Sequence, residues 1–454
     1  MKQSFYYWGI KNFHHMSISI PRAKKKVEKK PAGSGKKIPF QSPKGMHDRL
    51  PADFIYIDKI EKALKKVSGF YGFDRIETPV LEDIKLFERG TGLTSEVVQK
   101  QMFTVKTKGD GVLALRPEMT PGVVRAYVEH GLLHVVNPGK FFYMSPVFRY
   151  EQPQHGRFRQ FYQIGFEVLN SDDPVYDAQI INASLKIFDE VRLKNVTVKL
   201  NTIGCKTCRA GYVKKLKEYY KNKLGLVCRD CVKRYAENPL RMLDCKQDKC
   251  QPFKAEAPQT LDFICNSCKT HFKSVLEFLD GAQVPYMIDP TLVRGLDYYA
   301  RTVFEFFAEG VDFALGGGGR YDYLSETMGG PKMPAIGLAC GVERMIEAMK
   351  LQNIELTTKQ NCKAFLIYMG DQAKKQAMML LDEFYKAGVP VRESFAKESL
   401  KSQLRLADKE QVHFALILGQ REVFEEVILL RDMKTGAQET IPLKKIVAEL
   451  KKRI

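Results

Sequence analysis

The sequence predicts an α+β protein in which a large antiparallel sheet flanked by helices is interrupted by a cysteine-rich insertion and followed by a small α/β domain. Three observations carry this expectation. The segments Lys140 to Tyr150 and Phe161 to Leu169 are rich in aromatic and β-branched residues, and the polar stretch Glu151 to Gln160 joins them as a long hairpin. Between about Val196 and Pro285 the composition shifts to Lys-rich helical stretches studded with cysteines, and strand signals return only at Thr302 to Phe307. After the polar stretch Asn353 to Asn361, strand and helix signals alternate, which is the rhythm of a mainly parallel α/β sheet.

The elements follow in order. From Phe54, the residues Ile57, Ile60, Leu64 and Val67 recur every three or four positions and form one helical stripe that Gly69 and Gly72 end. RIETPVL, from Arg75 to Leu81, reads as a strand. In the last part, AFLIY is a strand, an amphipathic helix ends at Gly388, VPVR is a strand, a helix surrounds Leu400 to Ala407, and FALIL closes as a strand. A chain of 454 residues is too long for one core and fits roughly two to four domains. The expected division is a basic, disordered extension over 1–38, a sheet domain over 39–195 and 286–352, the insertion over 196–285, and the α/β domain over 361–454.

Net charge is +19, and the segment Pro21 to Lys37 supplies eight Lys or Arg against one Glu. The remainder is still strongly basic, which suits a polyanionic partner, nucleic acid first. Contact of the basic extension with nucleic-acid phosphates is expected to be modest and salt-dependent. No run of about 18 apolar residues occurs, so no membrane span and a soluble protein are expected. The first residues hold no long apolar core and no small-residue cleavage site, which points to a reducing cytoplasm rather than secretion.

On the strand Phe161 to Glu167, a two-residue period puts Phe161, Gln163, Gly165 and Glu167 on one face and Tyr162, Ile164, Phe166 and Val168 on the other. The second face is core. The first holds an amide and a carboxylate in mid-strand, where they pack well only against polar partners or a polar ligand. Arg149 and Glu151 share a face of the preceding strand, and the loop adds Arg157 and Arg159. Guanidinium groups gathered in this way suit phosphate, although surface ion pairs would use the same residues.

FRYEQPQHGRFRQFYQIGFEV, from Phe148 to Val168, resembles motif 2 of class II aminoacyl-tRNA synthetases in the form that histidyl-tRNA synthetases carry. The resemblance implies that Arg149 holds the α-phosphate of ATP, that Phe161 stacks on adenine with Glu151 and Arg157 in the ATP site, and that Gln163 and Glu167 contact histidine. LVRGLDYYARTVFEF, from Leu292 to Phe306, resembles the histidine-specific block of that family. There Arg294 would neutralise the α-phosphate opposite Arg149, and Tyr298 and Tyr299 would line the imidazole pocket. LGGGGRYDYLSETMGG and PAIGLACGVERM resemble motif 3, with Arg344 on adenine; Tyr323 departs from the glycine that the family often has there. If the second stretch is helical, Gly337, Gly341 and Arg344 fall at i, i+4 and i+7 of one face.

LRPEMTPGVVRAY resembles the stretch whose Glu118 and Thr120 receive the α-amino group. Ile60 to Leu81 resembles motif 1, the dimer-forming helix and strand, with its proline at Pro79. The C-terminal region resembles the anticodon-binding domain. The resemblance covers about Pro39 to Leu450. It implies a histidine-tRNA ligase that works through a histidyl-adenylate with ATP and Mg2+, binds tRNA(His), and forms a homodimer. A histidine-binding regulatory paralogue would lack the intact RGLDYY block and the last domain. A prolyl or threonyl enzyme would not need the paired tyrosines and Glu167.

Eight of the ten cysteines fall as Cys205 and Cys208, Cys228 and Cys231, Cys245 and Cys250, Cys265 and Cys268. Three CxxC pairs and one wider pair supply eight thiolates, enough for two tetrahedral structural Zn2+ sites. Free buried thiols are the alternative. Which pairs share a metal is not readable from the spacing. His134 and His413 have no ligand-spaced partners and read as packing or surface residues.

Overall fold

The computed structural model describes residues 40–92, 95–109, 111–152, 156–356, 362–396 and 399–454; the basic extension over 1–38 lies outside them. The first helix, Pro51–Tyr71, shows why these residues fold as they do. Pro51 stands where no backbone donor is needed, and the Asp53 carboxylate accepts from the Leu50 N–H at 2.9 Å. Ile57, Ile60, Leu64 and Val67 form its buried stripe. Gly72 ends it in the left-handed conformation, at φ 67°, which a side chain would resist.

The strands are β1 Asp74–Arg75, β2 Leu81–Asp83, β3 Phe103–Lys106, β4 Val112–Leu115, β5 Gly139–Phe148, β6 Gln160–Leu169, β7 Val196–Thr202, β8 Tyr286–Ile288, β9 Ala300–Ala308, β10 Gly316–Arg320 and β11 Ala335–Gly341, followed by β12 Ala364–Tyr368, β13 Val391–Glu393, β14 Phe414–Leu418, β15 Val427–Asp432 and β16 Gln438–Pro442. Eight of them make one sheet in the order β1-β5-β6-β11-β10-β9-β7-β8. Its six central strands run antiparallel, and the short edge strands β1 and β8 are parallel to their neighbours.

One face of this sheet is the core. Ile164, Phe166, Phe304, Phe306, Ile336, Leu338 and Cys340 pack there with the helices Pro51–Tyr71, Val175–Glu190, Asn266–Gly281 and Val342–Leu351. A fully buried ion pair anchors the layer: Arg320 Nη1 lies 3.1 Å from Asp177 Oδ2, and His271 Nε2 lies 3.2 Å from Asp177 Oδ1. Burial alone would raise the Asp177 carboxyl, but Arg320 and His271 hold it below its ordinary value. The small sheet β2-β4-β3 adjoins the large one through Arg116, whose N–H donates to the Val80 carbonyl at 2.9 Å and whose carbonyl accepts from the Phe148 N–H at 3.0 Å.

RIETPVL is not one strand: only its ends belong to strands, Arg75 to β1 and Leu81 to β2, because the chain passes between two sheets there. Three other expectations need correction. The composition shift placed an insertion over 196–285, yet Val196–Thr202 is strand β7, paired with β9, and Asn266–Gly281 contributes Phe272, Val275 and Leu279 to the main core. Cysteine and lysine content marked the segment, but backbone pairing and apolar burial set its limits. Gly337 and Gly341 do not share a helix face with Arg344: both lie on β11, and Arg344 is in the first turn of Val342–Leu351. Small residues at every second position serve a strand as well as they serve a helix. Finally, the last sheet, in the order β13-β12-β14-β15-β16, is not mainly parallel. β13 and β14 flank β12 in parallel, while β15 and β16 are antiparallel. Among the described residues no helix is long and apolar enough to cross a membrane.

Candidate active site

The opposite face of the large sheet is paved with small residues. Cross-strand partners point to the same side, so Gly165, Ala339 and Gly317 lie in one row and Glu167, Gly337 and Gly319 in the next. These glycines make room. A Cβ on Gly337 would stand 1.6 Å from Glu167 Oε2, and one on Gly165 would stand 2.3 Å from the Tyr143 hydroxyl. Gly317 does the same for Arg294, whose Nη1 would be 2.8 Å from an added Cβ.

Two buried carboxylates occupy the space so opened. The Glu167 oxygens accept hydrogen bonds from Thr120 Oγ1 at 2.7 Å, from the Tyr143 hydroxyl at 3.2 Å and from the Tyr321 hydroxyl at 2.5 Å. Glu118 accepts from Thr91 Oγ1 at 2.8 Å and from the Tyr298 hydroxyl at 2.7 Å. No cation contacts Glu167 directly in this network. Its burial, reinforced by the nearby Glu118 charge, outweighs the hydroxyl donations and pushes the Glu167 carboxyl up to about 8. Glu118 is likewise raised by burial, against hydrogen bonds from Tyr298 and Thr91 and the charges of Arg149 and Arg294.

Gln163 lies one row further along β6. It is buried, and its Oε1 has no hydrogen-bond partner, so its acceptor is available to a ligand donor. Beyond it the pocket turns basic. Arg149 leaves the end of β5 with Nε donating to the Pro117 carbonyl at 2.9 Å and its guanidinium 5.5 Å from the Phe161 ring. Arg344 donates to the Ala314 carbonyl at 2.9 Å. Its own burial, and the charges of Arg157 and Arg149 beside it, hold its guanidinium below the ordinary value. Arg157 bonds Glu151 Oε2 at 3.2 Å. Arg294 pairs with Glu305, and although burial opposes its charge, Glu305 and Tyr299 raise it above the ordinary value. Crowded arginines of this kind are stabilised by a polyanion.

Glu118, Thr120, Arg149, Glu151, Arg157, Phe161, Gln163, Arg294, Tyr298, Tyr299 and Arg344 therefore line one cavity, whereas Glu167 is not among the lining residues; it is fully buried and hydrogen-bonded to two of them, Thr120 and Tyr143. The sequence reading missed Thr91, Tyr143, Tyr321 and Glu305. Tyr321 stood inside the quoted GGGGRYDY stretch and Tyr143 shares the Arg149 side of its strand by alternation, but their role depends on where other segments lie; Thr91 carries no local signal. The cysteines gather into two groups, Cys205, Cys208, Cys265 and Cys268, and Cys228, Cys231, Cys245 and Cys250, with all four thiols of each group within 4.8 Å of one another.

An antiparallel sheet whose open face gathers arginines at one end and a carboxylate pair at the other, followed by a separate α/β domain, defines a class II aminoacyl-tRNA synthetase. The family model described as histidyl-tRNA synthetase matches residues 45–208 and 254–345, and that described as anticodon binding domain matches 363–453. The chain belongs to the histidyl-tRNA synthetase family. It is 42% identical over 406 residues to a histidine–tRNA ligase of Desulfitobacterium hafniense, covering 89% of this chain and 96% of that one. It is 40% identical over 414 residues to that of Natranaerobius thermophilus, covering 90% and 98%. Among solved structures, apo histidyl-tRNA synthetase of S. aureus superposes with a TM-score of 0.77 at 32% identity, over 91% of this chain and 100% of that one.

The Glu167 environment predicts a pH signature. A carboxyl raised to about 8 in the folded chain stays protonated there while its unfolded counterpart ionises, so the folded state binds more protons and stability falls as pH rises between the two values. Glu167→Gln removes that contribution. Its melting temperature should fall less than the parent's between about pH 5 and about pH 8 in ligand-free protein, read by thermal denaturation. Parallel curves for the two proteins would contradict the assignment.

Proposed function

We infer that this chain charges tRNA(His) with histidine in translation, and the observation that carries this is the two-ended cavity itself. One end offers arginines to phosphates. The other offers carboxylates and hydroxyls to a small molecule with two basic nitrogen groups. In the first step a carboxylate oxygen of histidine attacks the α-phosphorus of ATP, the bond to the β-phosphate oxygen breaks, and pyrophosphate leaves. In the second, a ribose hydroxyl of the tRNA terminal adenosine attacks the acyl carbon and AMP leaves.

The residues divide along the cavity. Arg149 and Arg294 face the α-phosphate from two sides, and Phe161 and Arg344 take adenine between them, with Glu151 and Arg157 alongside. Glu118 and Thr120 receive the α-ammonium group, while Gln163, Glu167, Tyr298 and Tyr299 surround the imidazole. Glu151, Glu305 and Glu343 line the same cavity and are the hard oxygen donors suited to Mg2+ arriving with ATP. No protein nucleophile is required, so acceleration comes from positioning and charge neutralisation. Each four-thiol group suits structural zinc.

The segment resembling motif 1 supports a homodimer. Phe70, Val80 and Leu81 are all exposed in the single chain, Phe70 at 83%. Sedimentation at micromolar concentration should give a dimer; a fully active monomer would rule this out.

The activity itself is tested by pyrophosphate exchange with each amino acid in turn, where histidine alone should support exchange. Arg294→Ala should lower that exchange by about two to three orders of magnitude, as for loss of a preorganised charge-stabilising donor. Histidine and ATP should still bind. Transfer of preformed adenylate to tRNA should suffer much less. Exchange within about threefold of the parent, under roughly 0.7 kcal/mol, would make Arg294 structural only.

A further inference from the structure

The stretch from Arg294 to Tyr299 supplies three of the pocket groups, yet it has no regular structure of its own between β8 and β9. Glu305, Glu118 and the Thr91 carbonyl hold its Arg294, Tyr298 and Asp297 from the sheet side, and the cysteine-bearing segment holds it from the other. Arg241 Nη1 donates to the Gly295 carbonyl at 2.8 Å, and Asn238 Nδ2 donates to Asp297 Oδ1 at 2.8 Å. Both lie in the run between Cys231 and Cys245. From the other side Arg209, adjacent to Cys208, donates to the Tyr299 carbonyl and at 3.4 Å to Gly204. Leu292, Val293, Tyr299 and Val303 share one apolar cluster with Tyr212, Leu216, Met242, Leu243, Cys231, Cys245 and Cys250.

The four thiols of each group lie within 4.8 Å of one another, close enough to share one tetrahedral ion. Cys205 and Cys208 Sγ are 3.6 Å apart, Cys205 and Cys265 3.9 Å, Cys208 and Cys268 3.8 Å, and Cys228 and Cys245 3.8 Å. A zinc ion with thiolates at about 2.3 Å gives a tetrahedron with edges of about 3.8 Å. Backbone N–H groups of Cys205, Cys228 and Cys231 already point at Sγ atoms, at 3.2, 3.2 and 3.4 Å, as they do around bound thiolates. The first group joins Cys205 and Cys208 to Cys265 and Cys268 across the whole segment, and the second closes the shorter loop from Cys228 and Cys231 to Cys245 and Cys250.

We propose that these two four-cysteine groups are zinc sites that position the Arg294–Tyr299 segment from outside the pocket, so that metal occupancy sets how well the histidine end is formed. Zinc at Cys228, Cys231, Cys245 and Cys250 holds the run carrying Asn238 and Arg241 against Gly295 and Asp297. Zinc at Cys205, Cys208, Cys265 and Cys268 holds Arg209 against Tyr299. These are positioning residues and touch neither substrate. The effect should therefore fall on the KM for histidine, whose pocket Tyr298 and Tyr299 line, and on kcat through Arg294, while the KM for ATP, whose other contacts come from Arg149, Phe161 and Arg344, should change least. The proposal rests on the histidine-charging reading for its kinetic arm only.

The test combines elemental analysis of full-length protein, purified without chelator, with pyrophosphate exchange. The parent should hold about two zinc ions per chain, and Cys245→Ser and Cys265→Ser should each hold about one. Arg241→Met, which leaves every thiol in place, should keep both metals and raise the KM for histidine by about tenfold, with the KM for ATP changing less than about twofold. Arg241→Lys should restore part of the loss. Cys245→Ser should reproduce the same split if it folds, and Arg241→Met decides the matter if it does not. Parent protein with no zinc and all eight thiols titratable would overturn the metal sites, whatever the activity. Two bound zinc ions with an unchanged histidine KM in Arg241→Met would overturn the positioning role. Two bound zinc ions in a parent that shows no histidine-dependent exchange would leave the metal sites standing and sink the functional reading instead.

Discussion

Placing a carboxylate in the middle of an antiparallel sheet, away from water, is costly unless polar partners surround it. Glu167 is such a carboxylate, fully buried and flanked by β5 and β11. Much of the surrounding architecture accommodates it. Gly337 opposite and Gly165 two residues back remove the side chains that would collide, and Tyr143, Thr120 and Tyr321 bring hydroxyls from three separate elements. Those hydroxyls do not neutralise the group, and its carboxyl remains raised to about 8. The apoprotein thus holds a polar site that a ligand with nitrogen donors completes.

The arginine end obeys the same logic with the opposite charge. Arg149, Arg157 and Arg344 lie close enough to depress the last of them, and Arg157 pairs with Glu151 at 3.2 Å. On the proposed reading a nucleoside triphosphate would relieve that repulsion, and the glycines of β10 and β11 would let it lie against the sheet. Both ends, on the same reading, belong to one antiparallel surface, which would present a carboxylate anchored by its amino and imidazole groups to the α-phosphorus. Such fixed placement replaces the entropy that the reactants would otherwise lose on meeting.

The site was legible where chemistry and periodicity coincide on one strand. Phe161, Gln163, Gly165 and Glu167 share a face by simple alternation, and the structure puts Gln163 in the cavity and buries Glu167 against two of its lining residues. Arg149, Arg294 and Arg344 were found through motif resemblance and converge on the same cavity. Tyr321 lies inside the stretch resembling motif 3 and Tyr143 shares the Arg149 side of its strand by alternation, but the carboxylate they serve is set by the tertiary fold, and Thr91 has no local signal at all. The same reason hid the pairing of the cysteines: Cys205 and Cys265 stand 60 residues apart, and only the return of the helix Asn266–Gly281 to the sheet brings them together. Gly337 and Gly341 were misplaced on a helix because a small-residue pattern satisfies either period. The last two strands, β15 and β16, were overlooked, since QETIP is too polar to stand out beside VILLRD.

The central claim is that the two buried carboxylates read opposite ends of one amino acid, Glu118 the α-ammonium group and Glu167 the imidazole. Calorimetric titration of the parent, Glu118→Gln and Glu167→Gln with histidine and with imidazolepropionate, which lacks the amino group, separates the two roles. Loss of a hydrogen bond to a charged group is worth about 1.5–3 kcal/mol, or roughly tenfold and more in affinity. Glu118→Gln should therefore weaken histidine by at least about tenfold and leave imidazolepropionate within about twofold, whereas Glu167→Gln should weaken both. Equal losses for the two ligands in Glu118→Gln would contradict the account.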